Sequence, residues 1–121
     1  MRDDLVYVEH ILQALQRISS YTEDMEEVAF MKDTRTQDAC IRQFEIVGEA
    51  TKRLSTTFRN RFTQVPWRSL AGTRDKLIHD YIQVDLAIVW STISNNVTPL
   101  LIELETIYEI LLGEERSNST N

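Results

Sequence analysis

A single cysteine, Cys40, in 121 residues leaves no internal disulfide framework and no multi-cysteine zinc site. Two histidines, His10 and His79, are too few for a His-rich metal centre. Glycine occurs three times and proline twice, fewer than a turn-rich sandwich or barrel needs, so helices are expected before any pattern is read. No apolar run approaches the roughly 20 residues of a membrane span. The opening Met1-Arg2-Asp3-Asp4, followed by Glu9 and His10, lacks the pattern of a signal peptide. A reducing cytoplasm is therefore the default expectation. What is there, 42% hydrophobic and 26% charged residues, is the composition and length of one ordinary globular domain.

Charge is scarce in one place and dense in another. The net charge is -6. Residues 51–79 nevertheless carry Lys52, Arg53, Arg59, Arg61, Arg68, Arg74 and Lys76 against the single acid Asp75. Attraction to phosphate acts locally and is screened beyond about 8 Å at physiological salt, so the segment matters more than the total. Two readings stand side by side. The bases pair with acidic neighbours on a solvated helix face, or they offer a docking place for RNA, DNA or a nucleotide.

Apolar spacing divides the chain into helices. Leu5, Val8, Leu12, Leu15 and Ile18 recur at three- and four-residue steps and predict a helix over 3–21, with Asp3 or Asp4 as its N-cap. Thr22 marks the start of a short helix carrying Val28, Phe30 and Met31. Asp33 or Thr34 caps a long helix to about Ser55, with Cys40, Phe44, Val47, Ala50 or Thr51, and Leu54 facing inward. Gly48 inside it costs about 1 kcal/mol against Ala, which a close helix crossing would explain. Residues 56–65 read as a loop pinned by Phe58 and Phe62. Pro66 suits the first turn of a helix through Trp67, Leu70 and Leu77 to about His79. Asp85 caps a fifth helix with Leu86, Val89, Trp90 and Ile93, which Asn95 to Pro99 should kink or break. Leu100, Leu104, Ile107 and Leu111 continue the stripe to Gly113. The expectation is an all-α bundle of four main helices plus a short one, one domain over 1–113, and a frayed polar tail over 114–121.

Reactive side chains concentrate in Arg74-Asp75-Lys76-Leu77-Ile78-His79-Asp80-Tyr81. On an ideal helix Arg74 and Tyr81 lie about 20° apart and His79 about 140° from Arg74. One straight helix cannot aim Arg74 and His79 at one small target. Either the helix ends or distorts near His79, or two chains assemble the site. Asp75 and His79, four apart, can hydrogen-bond and fix the imidazole tautomer. The chemistry suits phosphodiester cleavage without a metal. A guanidinium grips phosphate bidentately and neutralises charge growing in the transition state. An imidazole takes a proton from a ribose 2′-hydroxyl or protonates the leaving oxygen. Tyr81 offers a phenol for orientation or as acceptor of a transferred group. On spacing alone a structural role is the commoner one, since an Arg and a His within six residues of a helix often arise by chance.

Arg74, four residues, His79, one residue, Tyr81 resembles the signature of HepT-type toxins of the HEPN superfamily. The flanks agree: Thr36-Gln37-Asp38-Ala39, Ile46-Val47-Gly48-Glu49-Ala50 and Lys52-Arg53-Leu54 before it, with Pro66-Trp67-Arg68 and Ala71-Gly72 leading in. Val84-Asp85-Leu86 and Val89-Trp90 follow. The likeness is clearest from Tyr21 to about Leu104. It implies an α-helical homodimer with the two motifs meeting in a cleft at the interface. It implies a cofactor-free, metal-independent endoribonuclease of a type VII toxin–antitoxin system, acting on tRNA or mRNA and leaving a 2′,3′-cyclic phosphate. It also implies a partner, a MntA-type nucleotidyltransferase antitoxin that silences the toxin by attaching AMP from ATP to the motif tyrosine. Arg74 and His79 would then be catalytic, Tyr81 the AMPylation site, Asp75 an orienting residue, and Lys52, Arg53, Arg68 and Lys76 candidates for RNA binding. A two-fold axis would let one chain's Arg74 face the other's His79. The alternative is a non-catalytic nucleotide- or partner-binding subunit of a nucleotidyltransferase complex.

Other residues have plainer expectations. Trp67 and Trp90 are anchors of the core or an interface. Cys40 is a small buried hydrophobe. His10 lies beside the first apolar stripe and has no assigned role. Arg42, Glu45 and Glu49 either pair along their helix or line the cleft.

Overall fold

The structure, a computed structural model, describes residues 2–77 and 84–119. Helix α1, Arg2–Tyr21, buries Val8, Ile11, Leu12, Leu15 and Ile18 along the predicted stripe. Helix α3, Thr34–Lys52, lies against it and buries Cys40, Phe44, Val47, Ala50 and Thr51, with Leu54 just beyond. Burial pushes the Cys40 thiol up to about 11, so at neutral pH it is a protonated, inert core side chain. Between them runs the short α2, Glu27–Lys32, which seats Phe30 in the core. It starts later than Thr22, whose hydroxyl instead donates back to the Ile18 carbonyl at 2.9 Å. Asp33 caps α3 as expected, accepting from the Thr36 N–H at 3.0 Å and the Thr36 hydroxyl at 2.7 Å. Those two donors hold its carboxyl below the ordinary value of 3.8.

The expected cap of α1 is a correction. The helix already runs from Arg2, so Asp3 and Asp4 sit inside its first turn. Asp4 is buried and reaches across the chain: its two carboxylate oxygens accept from the Ser55 N–H and the Ser55 hydroxyl, both at 2.8 Å. The Ser55 oxygen in turn accepts from the Phe58 N–H at 3.1 Å. This relay fixes the start of α4, Thr56–Arg61, where the sequence reads as a loop. Phe58 on α4 packs on Phe62 and Trp67, with ring centroids 5.0 and 5.4 Å apart, and the Trp67 indole donates to the Phe62 carbonyl at 2.8 Å. Trp67 is a core anchor, as expected.

The single helix expected from Pro66 is split. Helix α5, Trp67–Ala71, stops at Gly72, and α6 covers Thr73–Leu77. The Gly72 carbonyl accepts from the Lys76 N–H at 3.0 Å, and the Thr73 hydroxyl donates to the Leu70 carbonyl at 2.7 Å, so the break is closed by local bonds. Asp85 caps α7, Leu86–Thr92, by accepting from the Ile88 N–H at 3.1 Å.

No break follows at Pro99. The backbone passes through a π-helical turn, Ile93–Val97, into α8, Thr98–Ser119, which packs on α1. The buried stripe Val89, Ile93, Val97 and half-buried Leu101 advances in steps of four. Each such step drifts by about 40° on an ideal helix, and a wider turn absorbs the drift. Helix α8 also continues past Gly113 through most of the expected tail, held by a bidentate ion pair between Arg61 and Glu114. The all-α class is as expected. The described residues divide it into eight α-helices and a π turn, of which α1, α3 and α8 are long, instead of four main helices and a short one. No helix among them is long and apolar enough to cross a membrane.

Candidate functional site

Arg74 stands at the second residue of α6, and α3 determines where. A Cβ built on buried Gly48 would lie 3.4 Å from the Ala71 carbonyl oxygen and 3.9 Å from the Arg74 backbone nitrogen. The helices therefore cross with room for a methyl and no more. Gly48→Ala should fit and remove about 1 kcal/mol of helix cost, raising the unfolding temperature slightly. Gly48→Leu should force α5 and α6 off α3 and lower it, as thermal denaturation would show.

One turn before Gly48, Glu45 steers the side chain: its Oε2 lies 3.6 Å from the Arg74 Nε. The Asp75 Oδ1 stands 3.8 Å from the Arg74 Nη1. The Arg74 guanidinium is thus restrained on two sides while half of the side chain stays open to solvent. Ion pairs this exposed contribute little to stability. His79 and Tyr81 lie outside the described residues, as does any bond between Asp75 and His79.

The basic segment divides between the two sequence readings. Arg61 pairs with Glu114, and the Lys52 Nζ lies 3.9 Å from the Glu49 Oε1. Arg59 donates to the Thr51 carbonyl at 2.9 Å. Arg53, Arg68 and Lys76 are exposed and form no ion pair with an acid among the described residues. Arg53 faces α1 across a groove, whereas Lys76 lines a smaller hollow with Ser69, Thr73 and Asn96.

That groove, about 350 Å³, is the part of the surface that sequence reasoning left unassembled. Tyr7 and His10 form its α1 wall, and Arg42, Glu45 and Glu49 its α3 wall, which Arg53 extends at the helix's C-cap. The Tyr7 and His10 rings meet edge to face with centroids 6.2 Å apart. The α3 signal was present in the spacing: positions 42, 45, 49 and 53 follow steps of three and four, one continuous face. Which residues of α1 oppose that face depends on the α1–α3 packing, and His10 alone gave no hint. Glu45 belongs to both places, so the groove opens beside the Arg74 guanidinium.

Comparisons with known proteins give the family. Residues 11–107 match the family model described as Ribonuclease HepT-like. A Methanocaldococcus jannaschii protein named "Putative RNase MJ0127" is 38% identical over 97% of both chains. "Putative RNase TTE0752" of Caldanaerobacter subterraneus is 37% identical over 96% of this chain and 100% of its own. "Probable ribonuclease HepT" of Thermococcus cleftensis is 38% identical over 78% of this chain and 86% of its own. No solved structure matches. A helical bundle carrying the Arg74 motif and matched by that model over most of its length belongs to the HepT-like ribonuclease family.

Proposed function

We propose that this chain is a toxin ribonuclease that cuts RNA without a metal and works as a homodimer. The observation that carries the reading is Arg74, a guanidinium half open to solvent yet restrained by Glu45 and Asp75, in a chain whose relatives bear the name ribonuclease. Arg74 binds the scissile phosphate and neutralises the charge that builds as the phosphorus becomes five-coordinate. His79 takes the proton from the 2′-hydroxyl. The 2′-oxygen then bonds to phosphorus, the bond to the 5′-oxygen breaks, and that oxygen leaves after accepting a proton. The products are a 2′,3′-cyclic phosphate and a 5′-hydroxyl. A two-fold axis brings one chain's Arg74 to the other's His79, which removes the angular conflict within one helix.

Silencing follows at Tyr81. Its phenolic oxygen attacks the α-phosphorus of ATP on a nucleotidyltransferase partner, and pyrophosphate leaves. The attached AMP fills the cleft and repels phosphate by its charge. The direct test incubates the purified protein with total RNA in EDTA and sequences the new ends. Cyclic-phosphate ends are expected. Intact RNA from a protein that is also harmless when expressed alone would favour the binding-subunit reading. Mass spectrometry after incubation with the transferase and ATP should find AMP on Tyr81. AMP found only on another residue would remove Tyr81 from the site.

A further inference from the structure

The groove between α1 and α3 carries four charged side chains along α3 and its C-cap, in the order Arg42, Glu45, Glu49, Arg53. Cations stand at both ends and carboxylates in the middle, over about 16 Å of helix axis. Arg42 and Arg53 are exposed, and neither pairs with an acid among the described residues. Tyr7 supplies an aromatic ring on the opposite wall. At about 350 Å³ the groove falls within the range of clefts that take small ligands, about 300–1,000 Å³.

A ligand that matches this order is anionic at its ends and rich in hydrogen-bond donors at its centre. A short stretch of single-stranded RNA has that form: phosphates at its ends and bases bearing amino groups between them. A second copy of the same wall does not. Laid antiparallel about a two-fold axis at the stripe's centre, it would set Arg42 against Arg53 and Glu45 against Glu49, like against like. We infer that this groove is a nucleotide subsite that holds the RNA flanking the scissile phosphate, with Tyr7 stacking one base, Arg42 and Arg53 gripping phosphates two or three steps apart, and Glu49 accepting from a base's amino group. Position supports this, because Glu45 joins the groove to Arg74. Base stacking on an aromatic ring and Arg contacts to the backbone are the usual means of holding single strands. The inference rests on the ribonuclease reading for the identity of the strand, but its binding test does not require cleavage.

The test measures fluorescence anisotropy with 2′-O-methyl hexamers, which lack the attacking hydroxyl. Alternating C and A provides amino groups; all-U does not. The full-length protein should bind the C/A hexamer more tightly than the U hexamer, and Glu49→Gln should narrow that difference. Tyr7→Ala should weaken binding at least about fivefold, while Tyr7→Phe retains it. Arg42→Gln and Arg53→Gln should each weaken binding and flatten its salt dependence by close to one phosphate contact. Lys32→Gln on α2, the same loss of charge elsewhere, should change nothing. Circular dichroism separates lost contacts from lost fold. Wild-type affinity in Tyr7→Ala, Arg42→Gln and Arg53→Gln together would overturn the subsite, even if total RNA is still cut. Hexamer binding through the groove by a protein that cuts no RNA would retain the subsite and remove the ribonuclease reading. A change of oligomeric state in the variants, seen by light scattering with RNA binding intact, would make the groove a contact between copies and overturn the inference.

Discussion

Arg74→Ala should lower the rate of RNA cleavage by about 10²–10³, the usual cost of removing one preorganised group that stabilises transition-state charge. His79→Ala should cost about 10²–10⁴, the range for a lost general acid or base. In the proposed mechanism the two act in one step, so the double variant should be little worse than the poorer single one. Arg74→Lys retains the charge but not the two-pronged grip and should recover only part of the rate. Glu45→Gln should fall between, because it loosens the aim of the guanidinium without removing it. Rates at saturating RNA, with folding checked by circular dichroism, decide these points. Undiminished cleavage by His79→Ala would take proton transfer away from that residue.

Phe58→Ala should be the most damaging change away from the site. Phe58 has no exposed surface and touches both Phe62 and Trp67. Truncation leaves a cavity between rings that the relay from Asp4 through Ser55 holds in place, so the space cannot easily close. The expected loss is about 3–5 kcal/mol, from a total that in such domains is only about 5–15. Thermal unfolding should fall by more than about 10 °C. A drop of a degree or two would mean that α4 repacks and that the aromatic cluster is dispensable.

Local signals were legible and distant ones were not. Asp33 and Asp85 cap helices through an N–H three residues on, so the bond is visible in the sequence itself. Asp4 looks identical in type, but its partner is 51 residues away, and nothing near it announces Ser55. The same relay makes α4 a helix where six residues would hardly hold one alone. The stripes of α1 and α3 were readable because each repeats over five turns. The split at Gly72 was not, because α5 and α6 are each barely longer than a turn. At the site, the Arg74 motif is a pattern in one stretch of chain and carried the resemblance. The steering of Arg74 by Glu45 and the α1 wall of the groove come from packing between helices, which spacing along one helix cannot express.

The π turn sets the phase of everything after it. Its wide loop takes up one extra residue and so lets Leu104, Ile107 and Leu111 meet α1. Deleting one residue there, Asn95 for instance, would retain a perfectly acceptable local helix. It would remove the one residue that makes the turn wide, so the face carrying Leu104, Ile107 and Leu111 would still meet α1. The turn therefore tolerates the loss of one exposed asparagine, whereas a second deletion would swing the downstream face by about 100° and turn a polar edge to the interior.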